Sequence, residues 1–171
     1  MRIHFSQIFW GLLLVILNLS INGFDLLVDG VGYLLAAAGC GGLATLSPRF
    51  ATARALCFVL AALWLVGFAV PGPFATIYGV AITVVNCMMI WQLLGGIREF
   101  ALERQRLDLA QRAETRRAVY LVIVLVTSLL ALVLSGSRGM GPLVVILVVS
   151  VLVVMAMILH LIYRVRNELA T

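Results

Sequence analysis

Between Asn18 and Tyr33 the chain reads N-L-S-I-N-G-F-D-L-L-V-D-G-V-G-Y, and its most suggestive polar groups are gathered there. Asn18 and Asn22 are one helical turn apart. Asp25, Asp29 and Tyr33 recur every four residues, a spacing that puts all three on one face of a helix. A tight turn at Asn22-Gly23 folds the two sets toward each other. Together with Arg138 they form a candidate ligand-binding vestibule, in which Asp25 and Asp29 would hold a cation, a proton or a polar solute. The competing reading is architectural: Asp25 caps a helix, Asp29 sits favourably in the helix dipole, and an Asp–Arg138 pair holds two hairpins together.

Other residues with chemical potential are sparser. Thr83 and Asn86, Thr127 and Ser128, and Ser150 are the uncharged polar groups within long apolar runs. Asn86, Thr127 and Ser128 are candidates for lining a narrow path, although such groups also bond between helices or back to their own carbonyls. The chain has no G-x-S-x-G elbow, no Walker-type G-K-[ST] and no His/Cys/acid cluster at metal-ligand spacing, so it is expected to be no enzyme and to need no cofactor or metal. Cys40, Cys57 and Cys87 are an odd set within apolar runs and read as small packing residues. His4 and His160 read as interfacial. Trp10, Trp64 and Trp91 read as interface anchors or packing groups.

The elements that position these groups follow from the solvent the chain requires. Of 171 residues, 64% are hydrophobic and 11% charged, with a mean hydropathy of +1.17, which leaves too little polar surface for a water-soluble protein. A helix needs about 20 residues to cross a hydrocarbon core of about 30 Å. Six stretches meet or approach that length, at about 4–22, 25–46, 48–70, 74–96, 118–135 and 142–163. Ser47-Pro48 offers a capping serine and a first-turn proline, while Pro71-Gly72-Pro73 and the stretch 135–141 break the chain. The first stretch meets no small-x-small cleavage site and reads as a retained span.

All 12 basic residues are Arg. With the N-terminus inside, six spans put every Arg except Arg138 on the cytoplasmic side, which predicts an N-in/C-in topology. The Arg residues flank apolar spans, so anionic lipid head groups are the expected partners and nucleic acid is not. Residues 97–117 form an Arg-rich connector expected to be helical, with Arg104–Asp108 and Asp108–Arg112 pairs at i,i+4. The second span, rich in Gly and Ala from Gly30 to Ala44, is expected to be the central packed helix. The fifth and sixth, apolar all round, are expected to face lipid.

Gly23, Phe24, Asp25, Leu27, Asp29, Gly32 and Tyr33 resemble a motif of small bacterial membrane proteins, approximately G-F-D-x-L-P-D-x-x-G-Y, with Val28 in place of the proline. The resemblance spans about a dozen residues and implies a bacterial membrane protein. The chain is therefore expected to be an all-α polytopic transmembrane helical bundle of the bacterial inner membrane, a single membrane domain. Two functions are consistent with it. One is a component of a small-solute or ion transporter or channel, assembled as a homo-oligomer. The other is a non-transporting accessory or scaffold subunit that contacts a membrane-protein partner.

Overall fold

The computed structural model describes residues 1–18, 28–67, 69, 74–134 and 141–168. Among them there is no strand, and six helices follow in chain order: α1 (Arg2–Asn18), α2 (Val28–Leu43), α3 (Pro48–Gly67), α4 (Ala75–Glu103), α5 (Leu107–Leu134) and α6 (Gly141–Glu168). Each helix packs on its neighbours in the chain, and α6 also packs on α1, so the six close into a ring.

The described residues support fewer crossings than the six expected. Pro48–Gly67, Thr76–Glu103 and Val145–Glu168 are long and apolar enough to cross a bilayer. The 17 residues of α1 and 16 of α2 are shorter than the roughly 20 of a typical crossing. In α5 the first turns are charged, and the apolar stretch starts only at Ala118.

Local chemistry sets the helix ends. Ser47 accepts a 3.1 Å hydrogen bond from the Arg49 N–H and caps α3, with Pro48 in the first helical position as its sequence suggests. The Arg-rich segment is not one helix, a departure from expectation that lies at Gln105. This residue adopts φ 56°, and the chain there closes α4 with a paired C-terminal motif. The Arg106 N–H bonds to the Ala101 carbonyl and the Gln105 N–H to the Leu102 carbonyl, both at 2.9 Å. Two carbonyls left over at the end of α4 are thereby satisfied without glycine or proline, and the chain reverses into α5.

The reversal also changes the charge pairing. Instead of the i,i+4 pairs of a continuous helix, Arg106 binds Asp108 at 3.1 Å and reaches Glu168 at the end of α6. Arg164 holds the same Glu168 at 2.7 Å. The α4–α5 turn is thus clasped to the last turn of α6.

The Arg-rich end of the ring, where α1, α3 and α5 begin and α2, α4 and α6 finish, is closed by apolar side chains. Phe5, Phe50 and Phe100 are buried there, and their rings meet at 6.5 Å between Phe5 and Phe50 and 5.9 Å between Phe5 and Phe100. Leu43, Ile97, Leu109, Ile162 and Val165 are also fully buried. At the opposite end Leu65, Ile77, Val145 and Ile146 are exposed, as lipid-facing side chains are when the helices cross a bilayer. In its second half α6 turns Ile158, Leu161, Ile162 and Val165 into the core while Met157, His160 and Tyr163 stay exposed, so α6 is not lipid-facing on every face.

The second helix is not central either, because a ring has no central member. Its small residues serve one seam. A Cβ at Gly11 would lie 2.6 Å from the Ala36 nitrogen and the Gly32 oxygen, and one at Gly39 would lie 2.6 Å from the His4 oxygen. The backbones of α1 and α2 touch at these points.

Candidate functional site

The vestibule proposed from the sequence is only partly within the described residues. Asn22, Asp25 and Arg138 lie outside them, as do the breaks at 71–73 and 135–140, and Asn18 is the last residue of α1. Asp29 stands half-buried in the first turn of α2, where the helix dipole favours a carboxylate. Tyr33, one turn further along, is buried.

The three path candidates have different surroundings. The Thr127 hydroxyl donates to the Val124 carbonyl at 2.9 Å, Asn86 is half-buried on α4, and Ser128 is exposed on α5. Thr83 and Ser150 likewise donate to carbonyls four residues back, Gly79 and Ile146, each at 2.8 Å. These hydroxyls are spent within their own helices.

A denser polar constellation lies at the Arg-rich end, between α3, α4 and α5. The Ser47 hydroxyl donates to Glu99 Oε2 at 2.5 Å, and Arg49 Nε donates to Glu99 Oε1 at 2.5 Å. Arg49 lies across Gly95, where a Cβ would approach its Cδ to 2.9 Å. Arg98 Nε binds Glu114 Oε2 at 3.1 Å and links α4 to α5. Both carboxylates are therefore engaged by an arginine.

Arg117 completes this group and, among the described residues, makes no ion pair with a carboxylate. Its guanidinium carbon stands 3.1 Å from the centre of the Trp91 ring, and its Nε is buried without a hydrogen bond. Burial, then the like charges of Arg49 and Arg98, pull its pKa below the ordinary guanidinium value. The neighbouring Arg116 instead donates to the Met157 carbonyl of α6. In the sequence these arginines are legible only as topological charges, because Trp91, Arg98, Glu99, Glu114 and Arg117 come from helices 40 or more residues from Ser47 and Arg49. Glu99 and Glu114 were the available signal, as acidic residues embedded in a run of Arg.

Trp91 also forms the wall of a groove between α4 and α5 with a volume of about 810 Å³. Thr83, Cys87 and Trp91 line it at four-residue spacing on α4, with Leu121, Val124, Leu125 and Ser128 opposite on α5. The groove is mainly apolar and opens sideways: Val84 and Leu125 are more than half exposed.

The remaining singled-out residues have structural surroundings. His4 contacts Gln7 Oε1 at 3.4 Å and packs over Gly42, while His160 is exposed. Trp64 packs on Gly30, and Trp10 is exposed. Folding brings Cys40 and Cys57, both buried and free, close together between α2 and α3. Among the described residues, no three His, Cys, Asp or Glu side chains are grouped so as to hold a metal ion. No family model matches the chain, and no curated protein or solved structure shows significant similarity to it.

Proposed function

We propose that the protein is a non-transporting accessory or scaffold subunit of the bacterial inner membrane, crossing it six times with both ends cytoplasmic. The observation that carries this reading is the apolar closure of the Arg-rich end by Phe5, Phe50 and Phe100. A solute path needs polar groups turned toward a common space. Here the hydroxyls of Thr83, Thr127 and Ser150 are turned to their own helices. The Arg-rich end would face the cytoplasm, where it meets anionic lipid and a membrane-protein partner. On the α4–α5 connector Arg104 and Arg112 are the exposed arginines available to a partner, since Arg106 is committed to Asp108 and Glu168.

Affinity purification from gently solubilised membranes tests this reading. It predicts a co-purifying membrane protein that is lost when Arg104 and Arg112 are both replaced by Gln, and no flux above empty vesicles after reconstitution. The topology is tested by cysteine labelling in a Cys87→Ala background. A cysteine introduced at position 138 should react from outside and none between 104 and 114 should; the reverse pattern overturns the six-span assignment.

A second reading, a component of a small-solute or ion transporter or channel working as a homo-oligomer, is favoured by Asp29. This half-buried carboxylate stands one turn from the buried Tyr33, and ionisable groups within membrane helices are costly enough to suggest a role. Flux into vesicles that Asp29→Asn abolishes would establish it in place of the first.

A further inference from the structure

One end of the α4–α5 groove is walled by Trp91, whose ring carries the Arg117 guanidinium. Along α4 its lining runs from Thr76 to Gln92, 17 residues or about 24 Å of helix, and the Arg117 guanidinium rests on Trp91 at one end of that run. Among the described residues the other charges of this group pair off, Arg49 with Glu99 and Arg98 with Glu114, so Arg117 contributes a positive charge without an ion-pair partner. A mainly apolar trough that opens sideways and ends at an indole ring carrying a cation matches a molecule with an apolar tail and an anionic head.

We propose that this groove binds one anionic phospholipid, with its phosphate on Arg117 and an acyl chain lying along α4 and α5. One leaflet is about 15 Å deep, half of the hydrocarbon core, and corresponds to about 10 residues of helix. The chain therefore extends from Trp91 past Cys87 to about Thr83, between Val124 and Leu125 on the facing helix. The part of the groove beyond Thr83 belongs to the opposite leaflet. Arg117 selects the head group, and the trough selects only for an apolar chain. Preference between lipids is accordingly a matter of charge at a single residue.

The test uses the full-length protein with Trp10 and Trp64 replaced by Phe, which leaves Trp91 as the reporter. It is reconstituted into vesicles containing phosphatidylglycerol or phosphatidylcholine with brominated acyl chains, at equal mole fraction in an otherwise unbrominated bilayer. Brominated phosphatidylglycerol should quench Trp91 with an apparent preference of about fivefold, the factor expected for one basic residue at an anionic surface. Arg117→Gln should bring the ratio to about one, and Arg117→Lys should restore most of it. Replacing Arg98 and Glu114 together by Gln removes a neutral pair and should leave the preference in place.

Equal quenching by the two lipids in the parent protein overturns the proposal, as does an unchanged preference in a folded Arg117→Gln variant. It is also overturned if Val84→Cys cross-links copies of the chain in high yield and neither brominated lipid quenches Trp91. That result would show the groove filled by a second copy. None of these outcomes depends on whether the protein carries a solute or binds a partner.

Discussion

Replacing Gly11 or Gly39 with Ala should destabilise the protein even though Ala is the better helix former. A Cβ at either position would meet backbone atoms of the facing helix at 2.6 Å, whereas ordinary contact begins near 3.4 Å. The obstructing atoms are main-chain nitrogen and oxygen and cannot rotate away, so α1 and α2 must separate by about 0.8 Å. A gap of that size forfeits a quarter to a half of the dispersion energy of the atoms facing it. Along this seam those atoms belong to buried Ile8, Val15 and Ala36. Overpacking of this kind costs about 2–3 kcal/mol, and the helix-propensity gain of Gly→Ala offsets about 1 kcal/mol. The net loss is about 1–2 kcal/mol, or a Tm lowered by roughly 3–8 °C.

The control is Gly79→Ala on α4, where a Cβ meets nothing within 4 Å and the substitution should leave the Tm unchanged or raise it. The double variant Gly11→Ala/Gly39→Ala should cost less than the sum of the singles, because one displacement of α1 relieves both collisions. Thermal unfolding in one detergent, followed by circular dichroism, measures all four variants against the parent. If Gly11→Ala and Gly39→Ala melt at or above the parent, as Gly79→Ala does, the close backbone approach of α1 and α2 is refuted.

Gln105→Gly should stabilise the protein by about 1 kcal/mol, because glycine adopts the left-handed conformation without the Cβ clash, whereas Gln105→Ala should gain nothing; the Tm distinguishes them. Ser47→Ala removes both the α3 cap and a donor to Glu99, and should cost about 1–2 kcal/mol by thermal unfolding. Asp108 is held below the usual carboxylate range by its hydrogen bond to Arg106. Its contribution is therefore complete above the ordinary Asp pKa and lost as pH falls through the lower folded value. Asp108→Asn mimics that loss at neutral pH and should speed amide exchange at the start of α5, measured by mass spectrometry.

Much of the architecture was legible without coordinates, since apolar runs of near-membrane length are a one-dimensional property. The all-helical class and the start of α3 at Ser47-Pro48 both follow from local composition, because a cap and a first-turn proline act within one turn of chain. The connector is a different case. Its lack of glycine and proline suggests a single helix, but the break at Gln105 depends on hydrogen bonds to Ala101 and Leu102 together with the Arg106–Glu168 clasp. Glu168 is 62 residues away from Arg106, so no local spacing could announce that pair.

The same distinction separates what each level determined about this protein. Composition and the spacing of apolar runs determined a helical chain suited to lipid, because transfer of each segment depends on its own residues. The Gly and Ala content of the second helix pointed to close packing, but only the tertiary structure decided that the partner is α1 and that the helices form a ring with no central member. That Arg117 lacks an ion-pair partner among the described residues was likewise decided by folding. In sequence it is one of 12 arginines, and only when Arg49, Arg98, Glu99 and Glu114 have paired across three helices is it the cation left over beside the α4–α5 groove.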